Sequence, residues 1–420
     1  MRSLRAAGAR TFTSLRIHRN YRLFFSGQIV SVVGTWMQNT ALAWFVVDLT
    51  HSPVAVGFLA FCRFVPFSVF GLVSGVVADR FDNRRLVMTT QAFQMAVSIA
   101  LAALAFSGTA TVWEAYALAI LGGTGLVFDA PGRNSLTYRM VGRDELPNAI
   151  ALNASLFNAS RVIGPAVAGL AIAATSVGVC FAINAISFLA VIAALWLMRT
   201  EELEPVERRE QPTLLAGVGE GLRYAKGAPR VKAVLLMTLV VSTVGFNFHV
   251  LVPVLAADTL HVGATTFGLL SAAFGAGALV GALVAAALAR ASFKALVAGT
   301  GGFSLTMLVL APQHTVVACA LLLFLTGISF TTWTANSQSI LQLSAPDHLR
   351  GRVLSLYLLA FAGAAPIGGL LSGWLADVGG TELAFGVAGT AGLLMTAYGL
   401  RTLREGRFAP TPVLMPGTRR

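Results

Sequence analysis

Charge is scarce in this chain, and positive charge is missing altogether from half of its loops. Asp, Glu, Lys and Arg make up 11% of the 420 residues, while 56% are hydrophobic. With a mean hydropathy of +0.75, that balance excludes an ordinary soluble globular domain. The chain has only three cysteines, Cys62, Cys180 and Cys319. They lie far apart in apolar tracts and lack metal-ligand spacing, so they read as small core residues and give no metal site or disulfide framework. No glycine-rich segment ends in Gly-Lys-Ser/Thr, so the chain has no phosphate-cradling loop, and ATP drive would need a partner. Covalent chemistry is not expected, and neither is a cofactor: this does not read as an enzyme.

What the chain does have is long apolar tracts. Twelve are long enough, or nearly so, to cross a bilayer by the criterion of ~17–25 mainly apolar residues. They cover residues 21–49, 54–78, 86–107, 112–131, 149–175, 177–198, 234–257, 266–288, 295–311, 316–334, 353–375 and 383–400. Of the 30 Lys and Arg, 28 fall in the two termini, counting Arg22 at the edge of the first tract, and in every second gap between tracts. The other two, Arg63 and Arg161, sit inside tracts, so the alternate gaps carry no positive charge. Positive charge marks the cytoplasmic side. Both termini are therefore expected in the cytoplasm, as an even number of crossings also requires, with the chain in a bacterial cytoplasmic membrane. The net charge of +12 is explained by orientation and contact with anionic lipid, and nucleic acid is not an expected partner.

Residues 1–20 carry Arg2, Arg5, Arg10, Arg16 and Arg19 and no acid. That composition also suits an organellar transit peptide; it is read here as a cytoplasmic arm because it leads straight into a spanning tract. The longest hydrophilic stretch, residues 199–232, separates six tracts (21–198) from six (233–400), and the proline-bearing tail 401–420 is expected to be disordered. Weak echoes link the halves: Gly57-Phe58-Leu59 with Gly268-Leu269-Leu270, Ala78-Asp79-Arg80 with Leu288-Ala289-Arg290, and Asp144-Glu145-Leu146 with Asp347-His348-Leu349. The expected fold is an all-α membrane protein of twelve transmembrane helices in two pseudo-symmetric six-helix halves, a parallel repeat about the membrane normal. Prolines 66, 131, 165, 253 and 366 are expected to bend their helices.

The segment Gly75-Val76-Val77-Ala78-Asp79-Arg80-Phe81-Asp82-Asn83-Arg84-Arg85 resembles the signature loop of the major facilitator superfamily. Thr50-His51-Ser52-Pro53, Arg63-Phe64-Val65-Pro66, Asp144-Glu145-Leu146-Pro147-Asn148-Ala149 and Leu349-Arg350-Gly351-Arg352-Val353 look like the branch that includes the enterobactin exporter and macrolide and tetracycline efflux proteins. Arg161-Val162-Ile163-Gly164-Pro165-Ala166-Val167-Ala168-Gly169 is similar to the Gly-Pro bend motif of drug antiporters, with Ala168 in place of a glycine. The resemblance implies a cytoplasmic gate of Gly75, Asp79, Arg80, Arg84, Arg85 and Asp129, closed while the protein faces outward. Asp79 would meet a helix dipole, and the loop arginines would pair with Asp129. The loop departs from the family pattern at Asp82, where glycine is typical, and at Asn83, where a basic residue is. Which arginine reaches Asp129 is therefore open, and Arg84 and Arg85 also serve orientation alone.

Ionisable groups within a membrane are costly, at ~2.5–3.5 kcal/mol or more each, and are functional candidates by default. Arg63 and Arg161 lie roughly 15–18 Å deep at ~1.5 Å per residue. Arg63 is open to three readings: an anion site, a partner for Asp48, or a structural bond to helix carbonyls. By family analogy tracts one, four, seven and ten line a central cavity. Gln28, Ser31, Thr35 and Gln38 form one polar stripe at helical spacing, and Asn247, Trp333 and Asn336 join them as cavity candidates. The same polar residues also suit plain helix–helix bonding. Candidates for proton coupling are His249, Asp48 and Asp129, while a neutral, hydrogen-bonded core histidine is the alternative for His249. The expected activity is proton-coupled export of a drug-like compound or siderophore by a monomer. The alternatives are a proton-independent uptake facilitator for a small nutrient, and a lipid scramblase or non-transporting sensor.

Overall fold

The computed structural model describes residues 12–205, 214–288, 291–346 and 349–405. Arg290, Asp347 and His348, most of the N-terminal arm, residues 206–213 of the linker and residues 406–420 lie outside that set. Among the described residues the structure is helical without a strand. Ten helical segments are long and apolar enough to cross a membrane.

Two of the ten are too long for one passage. Val112–Ala174 has 63 residues, about 95 Å of helix at ~1.5 Å per residue, against ~30 Å of hydrocarbon. It turns at Gly142, where φ is 67° and ψ −176°, a region open in practice only to glycine. Ala365–Arg404 turns at Gly379 and Gly380, the second with φ 68°. Counting each of these as two passages gives twelve crossings, the number expected from hydropathy.

Crossing one is Arg19–Thr50, two is Pro53–Arg80, three is Asn83–Ser107 and six is Val177–Trp196. Crossings four and five are the arms of Val112–Ala174. Crossing eight is Ala264–Leu288, nine is Phe293–Leu310 and ten is Val316–Ser344. The starts are written in local chemistry. Ser52 accepts from the Ala55 amide ahead of Pro53 at the first turn of crossing two, and Thr111 with Glu114 forms a capping box on crossing four. Asp82 accepts from the Arg85 amide at 2.9 Å, which gives the departure from glycine in the signature loop a role: it caps crossing three.

Crossings seven and eleven are broken. Seven runs as Pro229–Gly245, pauses at Phe246 and Asn247, resumes as Phe248–Val254 and widens into a π-turn over Leu255–Thr259. Eleven runs as Arg350–Phe361, breaks over residues 362–364 and restarts at Ala365. The break in eleven falls where the Pro366 ring would collide with the carbonyl four residues earlier. Pro66, by contrast, stays inside an unbroken helix. The two breaks adjoin, since the Ser242 hydroxyl donates to the Ala360 carbonyl at 2.9 Å. Such interruptions at membrane depth are tolerated where the freed backbone faces protein or a cavity.

His51 and His261 are the non-glycine residues with positive φ among the described residues, at 48° and 51°. Each ends the tetrapeptide Asp-x-x-His, Asp48 to His51 and Asp258 to His261, half a chain apart. They close crossings one and seven in the same conformation, so the repeat is visible in the backbone as well as in the charge pattern.

An even number of crossings returns the chain to the face it started from, called here the terminal face. There the short helix Thr13–Ile17 docks through Ser14, whose hydroxyl donates to Asn148 at 2.7 Å. Asn20 exchanges bonds with the Arg199 backbone, and Tyr21 donates to the Ala149 carbonyl at 3.0 Å. The linker carries the helix Leu214–Gly227. Tyr224 on this helix donates to the Ser344 carbonyl at 2.7 Å, and Glu220 pairs with Arg352.

Candidate functional site: a vestibule between the halves

The first six crossings meet the last six along two seams, and both lie toward the distal face. In one, Gly57 of crossing two faces Gly369 and Gly373 of eleven: a Cβ on Gly57 would lie 2.6 Å from the Gly369 carbonyl oxygen. In the other, a Cβ on Gly268 of crossing eight would lie 2.5 Å from the Pro165 carbonyl oxygen of crossing five. Trp44 and Phe267 stack across this end with ring centroids 5.4 Å apart. Small residues are needed because packing, not hydrophobic burial, joins helices in lipid.

Toward the terminal face the halves part. Beyond the bond from Ser68 to the Gly363 carbonyl, 3.1 Å, Gly71, Gly75 and Gly351 have no atom within 4 Å of where a Cβ would stand. Val73 of crossing two is 47% exposed and Leu359 of crossing eleven 54%. The space between the halves is a vestibule, closed at the distal face and open at the terminal one.

The signature loop is correspondingly disengaged. Asp79 and Arg80 are exposed, with no side-chain partner among the described residues. Arg84 donates from Nε to the Leu195 carbonyl at 2.6 Å, tying crossing three to six, and Arg139 reaches Asp82 at 3.3 Å. None of Arg80, Arg84 and Arg85 meets Asp129. In this arrangement the partner of Asp129 is Arg133, one helical turn on, with Nε to Oδ2 at 2.9 Å. Asp129 is 1% exposed and also accepts from Thr90 at 2.8 Å and Gln91 at 2.9 Å. Arg133 in turn donates to Gln28. The i, i+4 spacing of Asp129 and Arg133 was a readable signal for this pair, masked by the stronger expectation from the signature loop.

The polar stripe of crossing one, expected to face the cavity, is turned into the bundle instead. Gln28 is buried against Arg133, Ser31 is 2% exposed, and Gln38 accepts from Asn184 of crossing six at 2.9 Å. Thr35 donates to the Ser31 carbonyl within its own helix. Asn336 likewise bonds a neighbouring helix: its Oδ1 accepts from the Ser292 amide at 2.9 Å, tying crossing ten to the start of crossing nine. Trp333 is fully buried among Phe303, Phe330 and Phe361. Asn247 is buried at the break in crossing seven, donating to the Thr243 carbonyl at 2.9 Å with its Oδ1 unpartnered. A sequence read one helix at a time marks polarity but cannot say which neighbour uses it.

The helix-bend motif builds the distal seam. Gly164 lets crossing one approach, since a Cβ there would stand 2.4 Å from that of Trp36. Pro165 and Gly169 face crossing eight, and Ala168 is fully buried near Cys180 of crossing six, in line with its replacing a glycine. Arg161, at the head of the motif, lies against three rings: its guanidinium carbon is 5.3 Å from the ring centre of Trp36, 5.4 Å from Phe157 and 5.7 Å from Phe330. Its Nε is buried without an acceptor. Arg63 lies 5.6 Å from the Phe64 ring and makes no ion pair with Asp48. The Phe64 ring is 5.2 Å from that of His249, whose Nε2 is buried without a partner. The Phe330 ring beside Arg161 belongs to a set of stacked rings at the helix breaks, with Phe246 on Phe330 at 4.6 Å and Phe246 near Phe361 at 5.2 Å. Nothing in the sequence marks Phe157, Phe330 or Phe361 among the other phenylalanines of the apolar tracts.

Among the described residues no group of acids, histidines and cysteines is arranged to hold a metal ion. Residues 9–407 match a family described as transmembrane secretion effector. Among curated proteins, the chain is 26% identical over 383 residues to the staphyloferrin A transporter of Staphylococcus aureus, covering 89% of this chain and 94% of that one. It is 24% identical over 385 residues to macrolide efflux protein A of Streptococcus pyogenes, with coverage of 89% and 94%. It is 27% identical over 406 residues to the multidrug efflux pump Tap of Mycolicibacterium fortuitum, with coverage of 93% and 98%. Among solved structures, a bacterial homologue of the human lysosomal transporter Spinster, inward-facing and unoccupied, superposes with a TM-score of 0.72 at 12% identity, covering 93% of this chain and 99% of that one. The nucleoside transporter NupG gives 0.71 at 11% identity, with coverage of 92% and 99%. At such identities the structures speak for the fold alone.

Proposed function

Because this chain belongs to the transmembrane secretion effector family of the major facilitator superfamily, we propose that it is a secondary active exporter. It carries a small molecule out of a bacterial cell by alternating access, driven by protons moving in. The observation that carries this reading is the vestibule, sealed by glycine seams at one face and open at the other. The distribution of Lys and Arg along the sequence supports the terminal face as the cytoplasmic one, so that the open vestibule loads from the cell interior. The relatives named for siderophore transport, macrolide efflux and multidrug efflux support export of a compound of that size class.

In the outward-facing state of this cycle the Gly75 to Arg85 loop closes the cytoplasmic mouth. Gly75 would permit close approach of crossing eleven, and Asp79 would meet the positive end of a helix there. Asp129, His249 and Asp48 remain the candidates for the coupled proton. Asp129 is the best placed to link proton binding to gate movement, because its network joins crossings one, three and four. The vestibule is formed within one chain, which supports a monomer surrounded by lipid as the working unit.

The test is transport in everted membrane vesicles across a panel of dyes, macrolides and siderophores, with and without an imposed proton gradient and beside an Asp79→Asn control. Uptake into the vesicles that needs the gradient and is lost in the control supports the proposal. Flux that ignores the gradient would instead favour the facilitator, and lipid movement without saturable solute flux the scramblase.

A further inference from the structure

Resting on the export reading, we infer that the cargo is an organic anion: a compound with two or more ionised acid groups on an apolar or aromatic body. The argument begins with an imbalance of charge. Within the crossings the basic side chains at mid-depth are Arg63 and Arg161, and a guanidinium keeps its proton at any physiological pH. Among the described residues the one buried acid is Asp129. It already accepts from Thr90, Gln91 and Arg133, and Arg133 balances its charge. Among the described residues no acid pairs with the other two arginines.

Neither arginine is locked into the helix backbone. Arg63 and Arg161 donate no hydrogen bond to any described residue, and the buried Nε of Arg161 has no acceptor. Their surroundings are aromatic: Trp36, Phe157 and Phe330 around Arg161, and Phe64 beside Arg63. Ring faces attract a cation, but they leave the guanidinium N–H forks free. Those forks match a carboxylate bidentately.

Arg161 lies against Phe330 of the stack of Phe246, Phe330 and Phe361, and Arg63 approaches the same break in crossing seven through Phe64 and His249. His249, next to Arg63 through Phe64, adds a ring nitrogen that lacks a partner. An apolar or aromatic body lies on the stack while its acid groups reach the two forks. An amine-bearing compound would meet like charge at both ends. A bare inorganic anion would leave the rings uncovered.

Purified full-length protein in detergent is titrated with naphthalene dicarboxylate, with its dimethyl ester and with the matching diamine, following the fluorescence of Trp36 and its neighbours. The diacid is expected to bind, with the ester and the diamine at least about tenfold weaker. Arg63→Gln and Arg161→Gln should each weaken the diacid by about tenfold, the worth of one charge-assisted pair, with ester binding unchanged. If either variant fails to fold, Arg63→Lys and Arg161→Lys decide: they keep the charge but lose the fork, so they should bind the diacid more weakly and still prefer it to the ester. Preference for the ester or the diamine, or binding by none of the three, overturns the inference. This readout is independent of transport direction and coupling. The export reading can therefore fail in vesicles while diacid selectivity stands, and the reverse can also occur.

Discussion

Gly57 and Gly373 meet face to face across the distal seam: a Cβ placed on either would lie within 3.0 Å of the other's Cα. The atoms in the way are backbone, so no side chain can swing aside. Gly57→Val should pry crossing two from crossing eleven and shift the protein from its terminal-open state. The expected outcome is unchanged membrane expression with transport reduced by more than about tenfold, because a wedge of about 1.4 kcal/mol shifts a two-state equilibrium that far. Spin labels on the distal ends of the two crossings should move apart; an unchanged distance distribution would sink the idea.

Asp129→Asn leaves Arg133, 22% exposed, without its carboxylate partner. A fully buried pair broken from one side costs about 3–5 kcal/mol; with Arg133 partly exposed the loss should be about 1–3 kcal/mol, and the variant should melt below the parent in a detergent thermal scan. Adding Arg133→Gln should restore much of the loss. A double-mutant cycle with no coupling would mean that the pair does not form.

Tyr224→Phe deletes the hydrogen bond that holds the linker helix to the end of crossing ten, for about 0.5–1.5 kcal/mol of stability. Burial raises the Tyr224 phenol above its ordinary value. A raised folded-state value stabilises fully below the unfolded value of ~10 and is lost as pH rises through the folded one. The parent should therefore lose stability faster than Tyr224→Phe on going above about pH 10. Parallel alkaline melting curves would contradict this account.

Gly142 and Gly380 reverse the chain between paired crossings at φ of 67° and 68°. Replacing either with alanine puts a Cβ into a region that other residues avoid, at about 1–3 kcal/mol each. Gly108, with φ 67° and ψ 3°, lies in the milder left-handed region. Gly108→Ala should cost less than Gly142→Ala when the three variants are melted side by side.

Much of the architecture could be read along the chain. Partition of a tract into lipid depends on its own residues, so twelve crossings and the one-sided distribution of Lys and Arg follow from local composition. Capping is local too: Ser52, Asp82 and Glu114 announce helix starts within three residues of where they act. The vestibule was only partly legible. Arg63, Arg161 and His249 stood out because ionisable groups are rare at that depth, and all three lie against aromatic rings, Arg161 against Phe330 and the other two against Phe64. Gln28, Gln38 and Asn336 stood out equally and hold neighbouring helices together instead.

The difference lies in what lipid hides. In water, a helix marks its buried face by being apolar there and polar elsewhere. Inside a bilayer both the lipid face and the packed face are apolar, so crossings one and seven carry little sign of which side meets which neighbour. Number of crossings, sidedness and unpaired charge at depth were properties of the residues themselves. The links from Gln28, Thr90 and Gln91 to the Asp129–Arg133 pair, the ring cage of Arg161, the adjoining breaks at Asn247 and Gly363 and the closed distal seam depend on residues tens to hundreds of positions apart. They came into view once the helices were packed, because contact geometry belongs to pairs of helices and is absent from any single one.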